Sequence, residues 1–167
     1  MSTTARHRVI VLRHAKSERN HPVDDHERPL AERGRREAPL AGRWLREHGH
    51  RVDLLRCSTA LRARQTCEAV LAELETAPEL VSDPRLYGAD AATLLEVIHG
   101  LPEDTHTALL IAHNPGLSEL VGALSGQEVE LKTSAMAVLE QETPWSGTAP
   151  GHSVLVETVT PRPPTAP

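Results

Sequence analysis

Basic side chains follow short apolar runs at three points of the sequence. Arg13 and His14 come directly after the apolar run 9–12, and Arg62 and His113 also follow apolar runs. A guanidinium binds phosphate oxygens through two parallel hydrogen bonds, and a neutral imidazole beside it can attack phosphorus and carry the phosphoryl group covalently. These residue types therefore predict phosphoryl chemistry, provided that the fold brings them together.

The elements that must position these residues follow from the apolar pattern. The run 9–12 has apolar side chains on both faces, which favours a central parallel strand covered by helices on each side. The alternation of such runs with helical periodicity predicts strands over residues 9–12, 52–57, 80–82, 107–112, 136–140 and 153–159, and helices over residues 31–48, 59–74, 91–99 and 115–124. We expect an α/β fold, a three-layer αβα sandwich with a mostly parallel central sheet and a closing hairpin. Ligands bind beyond the carboxyl ends of such strands.

Local signals refine three of the helices. Pro39 lies inside the first, where proline costs about 3 kcal/mol or kinks the axis, so we expect its first turns to be separate from the later ones. Ser58 or Thr59 is expected to cap the second helix. Asn114 and Pro115 are expected at the N-cap and first position of the fourth, and a helix N-terminus favours anions.

Composition limits the class of protein. The chain has 167 residues, and its net charge of -5 and the lack of a long basic run argue against a nucleic-acid partner. With 2% aromatic residues and no phenylalanine, it also lacks aromatic platforms for base stacking. The apolar run 9–12 is too short for a signal peptide or a membrane span. We therefore expect no membrane partner and a cytoplasmic location, with Cys57 and Cys67 reduced and part of the packing. We also expect one domain over residues 1–160, a disordered tail over residues 161–167 and a loose segment over residues 1–7.

The charged loop 18–29 contains His21, Asp24, Asp25 and His26, which are residue types that bind metals. Their spacing matches neither a helix face nor a strand face that would bring such ligands together. A solvated loop beside the site is the preferred interpretation, and no metal or other cofactor is expected.

Three segments together resemble the histidine phosphatase superfamily (branch 1), whose signature is Arg-His-Gly. They are residues 12–17 (Leu-Arg-His-Ala-Lys-Ser), residues 58–66 (Ser-Thr-Ala-Leu-Arg-Ala-Arg-Gln-Thr) and residues 112–116 (Ala-His-Asn-Pro-Gly). The resemblance covers nearly the whole chain in the family's order. Ala15 in place of glycine, the small size and the turn at residues 28–30 are more similar to the bacterial SixA-like phosphohistidine phosphatases than to the phosphoglycerate mutases. The resemblance implies a phosphoglycerate-mutase-like fold and a metal-independent hydrolase.

The resemblance also implies a role for each matching residue. His14 would be the nucleophile, Arg13 and Arg62 would bind the phosphoryl oxygens, and His113 would be the second histidine of the pocket and also contact phosphate. Asn20 matches a further phosphate contact of the larger family. Cations near His14 would lower its pKa and keep it nucleophilic.

The sequence departs from the family where many members carry a glutamate as general acid. Gly88 stands at that position, and Tyr87 and Asp90 flank it as possible acids. Phosphohistidine has an imidazole leaving group that solvent can protonate, so a missing acid favours a phosphoramidate over a phosphate ester. The expected partner is a phosphorylated protein or a small phosphorylated metabolite.

Two other classes of function are weighed against this interpretation. A cysteine phosphatase needs five residues between its cysteine and arginine, and only four lie between Cys57 and Arg62. A phosphate-binding module without catalysis would keep the arginines and would not need His14 as a nucleophile. A phosphatase of small phosphate esters also stays open.

Overall fold

The computed structural model describes residues 6–20 and 22–163. Over these residues the chain forms six strands, four α-helices and three short 3-10 turns. The strands are β1 (His7–Arg13), β2 (Leu54–Cys57), β3 (Glu79–Ser82), β4 (Thr107–Ala112), β5 (Met136–Gln141) and β6 (Val154–Val159). The helices are α1 (Glu32–Glu47), α2 (Leu61–Glu73), α3 (Ala91–His99) and α4 (Gly116–Ser125).

The strands form one mixed sheet in the order β3-β2-β4-β1-β5-β6. The first four in this order are parallel, and β5 and β6 add an antiparallel hairpin at one side. Arg13 on β1 pairs with Ala112 on β4, and Cys57 on β2 pairs with Ile111 on β4. The residues that follow these three strands therefore lie side by side at one edge of the sheet.

Helices cover both faces of the sheet. Alternate residues of β1 point to opposite faces, so Ile10 and Leu12 pack with α1 and α2, while Val9 and Val11 pack with α3 and α4. Every residue of β4 is buried. The predicted three-layer α/β fold with a mostly parallel sheet is confirmed, because both faces of the central strands are removed from water.

The prediction that Pro39 separates the first turns of α1 is wrong. The helix runs without interruption from Glu32 to Glu47. Its buried face packs against α2 so closely that a Cβ added to Gly42 would lie 2.6 Å from the carbonyl oxygen of Val70. Tertiary packing of this face outweighs the local cost of proline, since packing supplies most helix stability in proteins.

The helix starts differ from the predicted caps. Ala60 is the N-cap of α2, and its methyl side chain cannot accept a hydrogen bond. The Ser58 hydroxyl, one of the two expected caps, is hydrogen-bonded to His113 and accepts the backbone N–H of Ala60. Helix α4 begins at Gly116, one residue later than expected. Asn114 still satisfies its first turn, since its Oδ1 accepts a hydrogen bond from the backbone N–H of Ser118 at 3.1 Å.

Two residues of the segments expected to lack structure, His7 and Arg162, have defined contacts. His7 belongs to β1 and is buried, whereas residues 1–5 of the predicted loose segment lie outside the described residues. In the predicted tail, Arg162 donates a hydrogen bond to the carbonyl of Thr133 and lies 3.3 Å from the buried carboxylate of Glu37. Residues 164–167 lie outside the described part, and the single domain over residues 1–160 stays a prediction.

No helix in the described ranges combines the length and apolar character needed to cross a lipid bilayer. Cys57 and Cys67 are free and buried between the sheet and α2, as expected for packing residues.

Candidate active site

His14 lies immediately beyond the end of β1 and is 7% exposed. Its Nδ1 is 2.8 Å from the carbonyl oxygen of Ala15. Because a carbonyl only accepts, Nδ1 carries the hydrogen and donates it, and Nε2 keeps its lone pair. Nε2 is thus the atom of His14 that can act as a nucleophile.

The surroundings of His14 keep its ring uncharged. The pKa of His14 is lowered to about 3, mainly by burial and in addition by the neighbouring His113 and the positive charges of Arg62 and Arg13, against the effect of the Ala15 hydrogen bond. The imidazole is therefore neutral throughout the physiological pH range, as a nitrogen nucleophile must be.

Two arginines flank His14 with one side of each guanidinium unpaired. Nη1 of Arg13 donates to the carbonyl of Leu131 at 2.9 Å, whereas its buried Nε has no hydrogen-bond partner among the described residues. The Nε of Arg62, in the first turn of α2, is also buried and has no hydrogen-bond partner among the described residues. A buried donor without a partner costs about 1–3 kcal/mol, so an acceptor at this place would be stabilised.

His113 follows β4, as predicted, and faces His14 with 5.1 Å between the ring centroids. A hydrogen bond of 2.7 Å joins its Nε2 to the hydroxyl of Ser58, and its buried Nδ1 has no partner within the described ranges. Burial and the charge of Arg62 lower the pKa of His113 to about 4, although Asp25 opposes this. This ring is also neutral at physiological pH.

These side chains surround one pocket of about 230 Å³. It is lined by Arg13, His14, Lys16, Ser17, Arg19, Arg28, Arg62, His113, Asn114 and Thr133. Five of these ten residues are cationic and none is a carboxylate, so the lining favours a small anion. The fold thus brings the four predicted catalytic residues together.

Thr66 connects the two segments that carry the nucleophile and its arginine. Its hydroxyl accepts a hydrogen bond from the backbone N–H of Ala15 at 3.0 Å and donates one to the carbonyl of Arg62 at 2.8 Å. Thr66 lies one helical turn after Arg62 on α2 and is completely buried. The loop after β1 is therefore fixed to the helix that supplies Arg62.

Three further predicted site residues are not at the pocket lining. Asn20 is exposed and lies outside the lining, so its phosphate contact stays a prediction. Asp90 instead caps α3, where its carboxylate accepts the backbone N–H of Thr93 at 2.9 Å. Tyr87 lies nearer, with its ring edge-on to His113 at 5.6 Å between centroids.

Asp25 and Arg28 also belong to the surroundings of the pocket, although the sequence pattern predicts neither of them there. The loop that carries them crosses beside the pocket, and Asp25 binds Arg62 through its carboxylate (3.0 Å) and its backbone carbonyl (2.7 Å). Arg28 lines the pocket and donates to the hydroxyl of Ser17 and to the carbonyl of Glu18. The sequence shows that both residues lie in a charged loop, but it contains no periodic pattern that predicts where this loop lies in the fold.

The loop 18–29 contains histidine and aspartate side chains, which are residue types that bind metals. Within the described residues, no group of three or more histidine, cysteine, aspartate or glutamate side chains could hold a metal ion. His21 is outside those residues. His26 is directed instead to the hydroxyl of Thr59, 2.8 Å from its Nε2.

Comparison with known proteins agrees with this geometry. Residues 9–94 match the histidine phosphatase superfamily (branch 1). An uncharacterized protein of Mycobacterium tuberculosis is 39% identical over 162 residues, which cover 90% of this chain and 100% of the relative.

Two solved structures of SixA proteins share the fold over nearly their whole length. One, from Nakamurella multipartitia, bears the name of a phosphohistidine phosphatase and superposes with a TM-score of 0.84 at 27% identity, covering 94% of this chain and 97% of the other. The other, a protein histidine phosphatase SixA complexed with tungstate, gives a TM-score of 0.80 at 26% identity, covering 92% and 97%. The chain belongs to branch 1 of the histidine phosphatase superfamily and is SixA-like.

Proposed function

We propose that this protein is a phosphohistidine phosphatase that works through a phosphoryl intermediate on His14. The observation that carries the proposal is the set of unpaired buried nitrogens around the neutral His14: Nε of Arg13, Nε of Arg62 and Nδ1 of His113. A phosphoryl group offers three oxygens, and charge-assisted contacts to guanidinium groups are among the strongest hydrogen bonds in proteins. Phosphate binding is thus assigned to Arg13, Arg62 and His113.

The reaction has two displacements at phosphorus. In the first, the lone pair of His14 Nε2 forms a bond to phosphorus and the bond from phosphorus to the substrate nitrogen breaks. Its electron pair leaves with that nitrogen, and the other ring nitrogen of the substrate carries a proton taken from solvent, so the leaving group is neutral imidazole. In the second, the oxygen of water bonds to phosphorus and gives a proton to solvent, while the bond from phosphorus to Nε2 breaks and its electron pair returns to Nε2, which releases His14 and inorganic phosphate. Fixed guanidinium groups stabilise the charge on the transferring oxygens in both steps without having to reorganise.

The leaving-group side of the pocket favours a nitrogen-linked substrate. The Tyr87 hydroxyl donates a 2.6 Å hydrogen bond to Asp25, and this contact raises the pKa of Tyr87. Asp90 is occupied at the start of α3, and His113 is neutral. None of these groups combines a proton with a pKa near 7, which efficient general acids have. An alkoxide leaving group needs such an acid, whereas an imidazole leaving group does not, because solvent can protonate it.

The proposed partner is a protein that carries phosphohistidine. Two solved structures that superpose with TM-scores of 0.84 and 0.80 are SixA proteins, one named a phosphohistidine phosphatase and the other a protein histidine phosphatase. We place this activity in the cytoplasm, in keeping with the free thiols of Cys57 and Cys67. Small phosphate esters fit the same arginines, so they belong in the experiment.

A single labelling experiment tests the nucleophile. Brief incubation with a ³²P-phosphohistidine protein, followed by an alkaline quench, should leave label on His14 that is labile to acid and stable to base. His14→Ala should abolish turnover but weaken binding of a phosphate analogue only modestly, because the arginines remain.

The controls separate the competing functions. Phosphoserine peptide and small phosphate esters, tested on the same preparation, should be hydrolysed much more slowly than the phosphohistidine protein. Turnover that survives in His14→Ala would exclude the nucleophile. A wild-type protein that binds phosphate but hydrolyses no substrate of the panel would be a binding module.

A further inference from the structure

The carboxylate of Asp25 is the centre of a hydrogen-bond network at the rim of the pocket. Oδ1 accepts from Nη2 of Arg28 at 3.0 Å, and Oδ2 accepts from Nη2 of Arg62 at 3.0 Å and from the Tyr87 hydroxyl at 2.6 Å. Nothing in the proposed two-step reaction uses this residue.

Asp25 engages both terminal nitrogens of Arg62. Its backbone carbonyl binds Nη1 and its carboxylate binds Nη2, so both terminal nitrogens of Arg62 are engaged on the loop side. The buried Nε is left without a partner among the described residues. The guanidinium is thereby fixed with its Nε–H side available to an oxygen of the substrate.

Asp25 also brings a fixed negative charge to the rim. Three hydrogen-bond donors, two of them cationic, hold the carboxylate in its ionised form. Its side chain is 56% exposed, whereas His14 is 7% exposed, so the carboxylate lies toward solvent and the nucleophile lies at the bottom. Its charge reaches the pocket, where it opposes the lowering of the His113 pKa.

Nitrogen-linked and oxygen-linked phosphoryl groups respond differently to a negative charge on the solvent side of the pocket. In-line attack by His14 places the leaving group opposite Nε2, toward the solvent side of the pocket. A phosphoimidazole that is protonated on its far nitrogen is cationic in the ring, and cleavage then releases a neutral imidazole without a proton from the enzyme. An ester releases an oxygen that becomes more negative during cleavage.

We propose that Asp25 is a specificity-determining residue, which orients Arg62 and, by its charge at the rim, favours nitrogen-linked over oxygen-linked phosphoryl groups. The proposal rests on the proposed function. A carboxylate near the leaving ring stabilises its protonated form, whereas it repels an oxygen that gains negative charge. The charge of Asp25 thus takes the place of the missing general acid for one class of substrate.

The experiment compares kcat/KM for phosphoimidazole and for p-nitrophenyl phosphate in wild type and Asp25→Asn. Asparagine keeps the size and an acceptor oxygen but removes the charge. We expect kcat/KM for phosphoimidazole to fall about tenfold more than that for p-nitrophenyl phosphate, a difference of about 1.4 kcal/mol in transition-state stabilisation. Asp25→Glu, which restores the charge, should recover most of the wild-type preference.

Asp24 supplies a matched control one residue away. It is exposed and makes no capping hydrogen bond, so Asp24→Asn should leave the preference within about twofold of wild type. Asp25→Ser is a second neutral variant that should reproduce the change seen with asparagine.

The outcomes distinguish the two proposals. One outcome is that Asp25→Asn lowers kcat/KM equally for both substrates while wild type still forms phospho-His14. In that case Asp25 only positions Arg62, and the specificity proposal is wrong. An equal change in Asp24→Asn would also overturn it, since any nearby charge would then suffice. If wild type forms no phospho-His14 and hydrolyses no phosphoimidazole, the proposed function itself fails.

Discussion

At the scale of single residues, the same side chain has different chemistry according to what surrounds it. His14 is buried between two arginines and has a pKa of about 3. His48, by contrast, is exposed and stacks on Trp44 with 4.3 Å between ring centroids. The first environment, unlike the second, yields an imidazole that is neutral, oriented and beside cationic groups, as the proposed nucleophile must be.

The buried histidines predict a loss of stability in acid. The folded-state pKa of His14 lies near 3, below its ordinary value of 6.5, so the unfolded state binds more protons in between. The free energy of unfolding should therefore be greatest above about pH 6.5 and decrease as the pH falls toward 3. Urea unfolding of wild type and His14→Gln between about pH 7 and pH 4 measures this, and the variant should lose less stability.

His152 provides the control for this titration. It is exposed, so His152→Gln should follow the wild-type dependence on pH. Parallel curves for wild type and His14→Gln would show that His14 is not the source of the acid sensitivity.

At the scale of elements, the site depends on how closely α1 and α2 pack against the loop after β1. Thr66 of α2 binds the backbone N–H of Ala15. On the other side, a Cβ added to Gly34 of α1 would lie 2.0 Å from the carbonyl oxygen of Lys16. Glycine is required there by close approach, and the helix start helps to fix the residues that follow His14.

Gly34→Ala should therefore damage both stability and activity. The added methyl group must displace the backbone of the loop or the start of α1, with a cost of about 1–3 kcal/mol in the free energy of unfolding. Chemical denaturation together with kcat/KM for phosphohistidine measures both effects.

Gly122→Ala is the corresponding change in α4, where the nearest atom to an added Cβ is 3.8 Å away. It should be neutral or stabilise by up to about 1 kcal/mol, because alanine favours helix. If Gly34→Ala were as harmless as this control, the close approach would have no consequence for the site.

At the scale of the whole molecule, positive charge is concentrated at one place on a chain with a net charge of -5. Five cationic side chains from three segments of the chain line the pocket, and none of its ten lining residues is a carboxylate. Guanidinium groups and an amine can supply to a phosphoryl group the positive charge that a divalent metal would otherwise supply.

We accordingly expect turnover to be unaffected by excess EDTA. Vanadate should inhibit more strongly than phosphate, because its trigonal-bipyramidal form resembles the transition state. Steady-state assays with each addition measure both effects. Loss of activity in EDTA that a divalent cation restores would contradict the first expectation, and equal inhibition by vanadate and phosphate would contradict the second.

The amino-acid sequence by itself determined the α/β class and the positions of Arg13, His14, Arg62 and His113. Continuous apolar runs are local signals of buried parallel strands, and the carboxyl ends of such strands share one edge. Residues that directly follow two neighbouring strands of this kind must therefore lie near each other, whatever the loops do.

Only the tertiary structure decided the surroundings of those residues. Asp25 and Arg28 come from a loop without periodicity, and their contacts with Arg62 and Ser17 join residues far apart in the chain. Pro39 is accommodated inside α1 by packing against α2. Such contacts depend on how separate segments meet in space, and local propensity carries no information about that.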